Sequence, residues 1–199
     1  MHKHFYQLAV LALLFLVSCG GEESVMGDRE FERGNYQEAI ELYNEYLKLH
    51  PKHLKTLYNR GRSYEALGQM EKAVADYNKV LEIDEEYPSA LMSMGEYYYD
   101  QAEFEDAFLM FDKAVEFAPN DAMTYLLRGR AYFKQGETQD ALNDYNKAIN
   151  INPDLGEAYY FRAAVYLTLK RNRSACNDFE KAINLGVEEA KKAKSKYCR

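Results

Sequence analysis

The chain has 199 residues, a formal net charge of -7, 18 tyrosines, 4 prolines and no tryptophan. That length suits one compact domain or a short repeat array, and abundant Ala, Leu, Tyr, Glu and Lys without Val/Thr-rich runs favours helices over sheets. The acidic balance excludes a general binder of phosphate backbones, so no nucleic-acid partner is expected, and it gives no reason to expect adhesion to anionic lipid.

The first residues belong to a different class from the rest. Met1 to His4 form a short, weakly basic start, and residues 5–17 are almost wholly apolar, with Gln7 the polar exception. This run is too short to span a bilayer and matches the core of a signal peptide. It ends in Leu16-Val17-Ser18-Cys19, followed by Gly20-Gly21. That ending resembles the lipobox of bacterial lipoproteins. The resemblance implies a leader over 1–18 cut before Cys19, a diacylglycerol on the Cys19 sulfur, and stable anchoring by two or three acyl chains. Gly20 after the cysteine implies, in that family, delivery to the outer membrane of the cell envelope. Residues 19–22 form a tether whose extended reach is on the order of 14 Å, which keeps the body close to the bilayer.

From residue 23 onward the chain repeats itself. Arg60-Gly61-Arg62 and Arg128-Gly129-Arg130 stand 68 residues apart, twice a period of 34, with Met94-Gly95-Glu96 midway and Arg162-Ala163-Ala164 one period on. A second block recurs at the same interval, as Asp76-Tyr77-Asn78-Lys79, Met110-Phe111-Asp112-Lys113, Asp144-Tyr145-Asn146-Lys147 and Asp178-Phe179-Glu180-Lys181. In chain order the pattern predicts first helices over 23–33, 54–67, 88–101, 122–135 and 156–169. Second helices are predicted over 36–49, 70–83, 104–117, 138–151 and 172–185, and a Lys-rich cap over 187–197. A small residue on each first helix (Gly27, Gly61, Gly95, Gly129, Ala163) and each second helix (Ala39, Ala73, Ala107, Ala141, Ala175) lets two backbones approach closely. An aromatic ring then fills the wedge beside them. Gly34, Gly68 and Gly136 stand where the first helix must turn, a place for the left-handed conformation. Ala102 and Lys170 stand at that place in the other two units, where a less sharply defined turn is expected.

The period and these positions resemble the tetratricopeptide repeat family, with units 20–53, 54–87, 88–121, 122–155 and 156–189. The resemblance implies an all-α fold, a right-handed α-solenoid of five helical hairpins plus a C-terminal capping helix, occupying 23–199. It also implies a concave groove that holds a partner peptide or helix. Groove positions of the family fall on Lys55, Tyr58, Arg62 and Glu65, then on Met92, Glu96, Tyr99 and Asp100. They continue on Met123, Leu126, Arg130, Phe133 and Lys134, and end on Tyr160, Ala164 and Leu167. Aromatics and Met beside charges are the mix of a recognition surface. Tyr58, Tyr99, Phe133 and Tyr160 are expected to anchor a partner segment, with Arg62 and Arg130 reading its acids. The subfamily that grips a C-terminal carboxylate uses Lys, Asn and Arg where this chain has Tyr58, Arg62, Ser93, Met123 and Leu127, so chaperone-tail binding is not expected.

Cys176 sits at an apolar position facing the cap, which carries Cys198. A disulfide between them in an oxidising compartment, or two separate thiols, both fit. His50 and His53 flank Pro51 in a turn with no Cys or acid at metal-ligand spacing, so no metal site is expected. No phosphate loop, nucleophile elbow or zinc-protease helix is present, and neither a cofactor nor an enzymatic activity is expected. Helical spacing places the carboxylates on solvated faces with Lys partners. The reading is therefore a membrane-anchored scaffold or adaptor of the bacterial cell envelope that binds a protein or peptide partner. The alternative is an extracytoplasmic lipoprotein that binds a peptide or oligosaccharide, which near-minimal turns and the lack of tryptophan disfavour. Oligomeric state is left open.

Overall fold

A computed structural model describes residues 24–198, and the leader, Cys19 and the tether lie outside the described residues. Every regular element among the described residues is an α-helix. Helix α1 covers residues 24–32 and is followed by α2 (Tyr36–Leu49), α3 (Leu54–Ala66) and α4 (Met70–Ile83). Then come α5 (Pro88–Asp100), α6 (Phe104–Phe117), α7 (Ala122–Gln135), α8 (Thr138–Ile151), α9 (Gly156–Thr168), α10 (Asn172–Asn184) and α11 (Glu188–Tyr197). These bounds agree with the predicted helices to within about two residues, the usual uncertainty of a helix end. The described residues divide into two compact units, the first ending at residue 85 and the second beginning at residue 86.

The first unit holds two hairpins, α1–α2 and α3–α4. Their wedges form as the small-residue pattern requires. A Cβ on Gly61 would stand 2.6 Å from the Tyr77 ring, and the Gly27 position meets Tyr43 in the same way. Tyr43, Tyr77, Leu57 and Val80 are fully enclosed and form the core with Ala39 and Ala73. At α3, His53 does more than occupy a solvated turn. Its Nδ1 accepts from the Thr56 backbone N–H and lies 2.8 Å from the Thr56 hydroxyl, so it caps the helix.

The second unit holds α5–α6, α7–α8, α9–α10 and the cap α11. Helix α7 touches both α5 and α9, which brings the three first helices side by side. One core gathers Leu126, Leu142, Tyr145, Ile149 and Val165; Phe111 with Leu127, and Phe179 with Ala182 and Ala190, anchor two more. The cap packs on α10, where Cys176 and Cys198 are joined by a disulfide with Cα atoms 5.7 Å apart.

The hairpin turns depart from expectation at two places. Gly34, Gly68 and Gly136 have φ of 80°, 71° and 88°. Ala102 and Lys170 take the same left-handed conformation, with φ of 63° and 56°. Their turns are no less defined than the glycine ones. Glu103 N–H reaches Tyr98 O at 2.9 Å and Arg171 N–H reaches Tyr166 O at 2.8 Å, matching Gln69 to Tyr64 at 2.8 Å and Glu137 to Tyr132 at 2.9 Å. The closing hydrogen bond and the packing of the two helices impose the turn and override the side chain's preference.

Candidate functional site

The best-built polar feature is one that helical periodicity does not reveal. Arg60 on α3 forks onto Asp76 of α4, with Nε donating to Oδ2 at 2.8 Å and Nη2 to Oδ1 at 2.6 Å, while Nη1 donates to Asn44 Oδ1 of α2 at 2.7 Å. Arg128 repeats this with Asp144 and Asp112, and Arg162 with Asp178 and Asn146. Each arginine thus ties its own hairpin together and binds it to the hairpin before. Asp76, Asp144 and Asp178 are only 5%, 6% and 7% exposed, so these carboxylates are not on solvated faces with Lys partners as expected. The bonds Arg60 donates to Asp76 hold it above its ordinary pKa, and those Arg128 donates to Asp144 do the same for Arg128. Burial pushes the Asp144 carboxyl up, which the two Arg128 bonds offset only in part. Rings of Tyr125 and Tyr132 flank the Arg128 guanidinium at 5.6 and 5.8 Å. In the α5–α6 hairpin the corresponding places hold Met94 and Met110, so an apolar pair replaces the ion pair.

The expected groove residues fall into two groups, one in each unit. In the first unit Tyr58 and Arg62 lie on α3. Arg62 is already engaged, its Nε 3.4 Å from Glu65 Oε2 and its Nη1 donating to the Tyr58 hydroxyl at 3.2 Å. Glu65 also accepts from the Tyr77 hydroxyl, and burial followed by that bond pushes the Tyr77 phenol well up. Arg62 therefore reads an acid of its own chain, which differs from the partner-reading role expected of it.

In the second unit Met92, Glu96 and Tyr99 lie on α5, Arg130, Phe133 and Lys134 on α7, and Tyr160 on α9. Met92, Tyr99, Phe133 and Tyr160 are half-buried, each with part of its surface packed on a core cluster and part left open. Glu96 and Lys134 are exposed. Leu126, a family groove position, is fully buried and belongs to the core. The structure brings several of these side chains together around Tyr99. The Arg130 guanidinium stands 4.6 Å from the Tyr99 ring centroid and 5.3 Å from that of Phe161, so it is within contact distance of two aromatic rings. Lys134 Nζ is 5.9 Å from the Tyr99 centroid and 5.5 Å from that of Phe104. Cation–ring contacts of this kind contribute on the order of 0.5–1 kcal/mol when exposed and more when desolvated. Phe161 and Phe104 were not singled out from the sequence. Phe161 was discoverable, since it follows Tyr160 and sits one residue before the repeating Arg162.

A separate concavity of about 620 Å³ lies at the turns of this unit, between Phe117–Met123 and Ile151–Leu155. It is open, and Asn120, Asp121 and Asn152 are the polar side chains in its lining, with no aromatic–cation pairing such as that around Tyr99, so the aromatic and cationic face is the better candidate. Among the described residues no cluster of three His, Cys, Asp or Glu is placed to hold a metal ion, and no helix is long and apolar enough to cross a membrane.

Comparison with known proteins bears on the fold. Tetratricopeptide repeat models match residues 25–90, 110–143 and 156–185, and a TPR repeat model matches 129–170. Among proteins of curated function none matches the sequence. Solved structures of similar fold include PilW, described as a widely conserved type IV pilus biogenesis factor, at 18% identity over 83% of this chain and 77% of that one, with a TM-score of 0.74. MamA 41-end from Desulfovibrio magneticus RS-1 is 22% identical over 83% of this chain and 94% of its own, with a TM-score of 0.72. TTC0263, a thermophilic TPR protein of Thermus thermophilus, is 23% identical over 90% and 98%, with a TM-score of 0.70. With its 34-residue period, its Gly–ring wedges and its left-handed hairpin turns, the chain belongs to the tetratricopeptide repeat family.

Proposed function

We propose that this chain is a non-enzymatic docking protein whose second unit binds a peptide or helix of a partner protein. The carrying observation is the face made by Tyr99, Arg130, Phe133 and Lys134, where half-buried rings and two cations meet on neighbouring first helices. Partly buried aromatics and arginine are the residue types that dominate binding energy at protein interfaces. The rings are already held by packing, so docking loses little side-chain entropy. In this reading the protein acts at the bacterial cell envelope, held there by lipid on Cys19, as its lipobox resemblance implies, with the outer membrane as its seat.

Two experiments test the reading. Affinity purification from cells should recover a partner with the wild-type chain and lose it with Tyr99→Ala plus Phe133→Ala; unchanged recovery would discard the docking face. Cys19→Ser should abolish labelling by a palmitate analogue and release the protein from the membrane fraction. A Cys19→Ser chain that stays labelled and membrane-bound would contradict lipid anchoring.

A further inference from the structure

Three hairpins of this chain place a tyrosine hydroxyl behind the first helix. In two of them the chain supplies that hydroxyl with its own carboxylate. Tyr43 donates to Asp28 Oδ1 at 2.9 Å, and Tyr77 donates to Glu65. In the third, α7–α8, Tyr145 is fully buried and its hydroxyl meets no hydrogen-bond partner. The place that holds Asp28 in the first hairpin holds Arg130 here, and the place of Glu65 holds Phe133. Arg130 Nε is likewise enclosed and without a partner. Three other arginines, Arg60, Arg128 and Arg162, are each forked onto a buried aspartate, and Arg130 takes no part in such a pair. The Tyr145 hydroxyl and Arg130 Nε are both closed off, so a partner reaches only the outer part of the half-buried guanidinium, where no carboxylate among the described residues forms an ion pair with it and a bound anion supplies the missing counter-charge.

We propose that Arg130, with Tyr145 behind it and Lys134 beside it, forms a subsite for an aspartate or glutamate side chain of the docked partner segment. This rests on the docking reading above and adds the chemistry of its central contact. Tyr99 and Phe161 both stand within cation–ring distance of the guanidinium, which holds it in place for the edge-on pairing that carboxylates and arginine favour. Lys134, whose Nζ lies 5.9 Å from the centroid of the same Tyr99 ring, adds a second positive charge in a chain whose net charge is -7. Arg130 lies on α7, and α7 touches α5 on one side and α9 on the other. The segment therefore has surface to follow in both directions from Arg130, which fits an internal acidic side chain better than a chain end.

The test is selection of an unbiased phage-displayed peptide library on the full chain, as wild type, Arg130→Gln and Arg62→Gln. Enrichment of Asp or Glu at one position, kept with Arg62→Gln and lost with Arg130→Gln, is the expected result. A selected acidic peptide should then bind Arg130→Gln at least about tenfold more weakly by fluorescence anisotropy, the loss expected for a charge-assisted pair. Tyr145→Phe should weaken it by less and leave the fold intact, since Phe111 and Phe179 already fill the same place in neighbouring hairpins. Peptides selected without acid preference, or with a preference that Arg130→Gln leaves unchanged, would overturn the subsite while leaving the docking face standing. Selection of no peptide at all would overturn the docking face and the subsite together.

Discussion

Arg128 and Asp144 face each other across the α7–α8 hairpin in a two-pronged pair, Nε to Oδ2 and Nη2 to Oδ1, both at 2.8 Å. Removing Arg128 strands Asp144 in a largely dry place, and removing Asp144 leaves Arg128 with only the more exposed Asp112. Arg128→Ala or Asp144→Ala is expected to destabilise the protein by about 2–4 kcal/mol. The double change Arg128→Met with Asp144→Met should cost much less, about 1 kcal/mol or none, because the chain already uses Met94 and Met110 at these positions. Urea unfolding of the three variants checks this, and a double variant as unstable as the singles would contradict it.

The left-handed turns at Ala102 and Lys170 carry a conformational penalty that glycine removes. Ala102→Gly and Lys170→Gly are each expected to raise stability by about 0.5–1 kcal/mol, the penalty being partly offset by glycine's larger unfolded-state entropy. A rise in the denaturation midpoint at unchanged slope is the sign to look for. A fall would mean that the alanine or lysine side chain contributes packing that outweighs the strain.

Acid should act on the first unit through Asp28. Burial works to raise this carboxyl, but donors from Lys55 at 2.7 Å, Asn59 at 2.7 Å and Tyr43 at 2.9 Å outweigh it and hold it below its usual range. A depressed folded-state pKa means that its stabilisation is fully present above the unfolded value of about 4 and is lost as pH falls through the folded one. Asp28→Asn should therefore be less stable than wild type at pH 6, with the gap closing below about pH 4. A gap that persists undiminished at low pH would show that Asp28 acts through shape rather than charge.

The cap α11 buries only Ala190 among its own residues and is tied down by the Cys176–Cys198 disulfide, 22 residues apart in sequence. Closing a loop of that size is worth up to about 3 kcal/mol. Reduction, or Cys198→Ser, should speed amide exchange across 188–197 while leaving α7 and α8 protected. Uniform protection before and after reduction would show that helix packing alone holds the cap.

The helices and wedges were legible because they depend on local spacing and on one residue of small size per helix. A 34-residue period displays both directly. The left-handed turns at Ala102 and Lys170 were not legible, since tertiary closure overrides the preference of the side chain there. The Arg–Asp clamps were missed for another reason. Arg60 and Asp76 are 16 residues apart, beyond any single-helix rule, and meet only because α3 and α4 fold back on one another. Their signal was in the repeat itself, where Arg and Asp appear together in three units and give way together to Met94 and Met110 in another. At the candidate site, the types of residue at Tyr99, Arg130 and Lys134 were readable. That Arg62 is satisfied within the chain while Arg130 is not depends on Glu65, whose reach toward Arg62 and Tyr77 no pattern displays.

The most direct test of the docking face is in-cell crosslinking from a photoreactive residue at Tyr99, compared with one at exposed Lys113 on α6, in the otherwise unaltered chain. The account predicts one dominant crosslinked protein from Tyr99, absent from Lys113 and lost when Phe133→Ala is added. The same proteins from both positions, or a specific adduct from Lys113 alone, would contradict it.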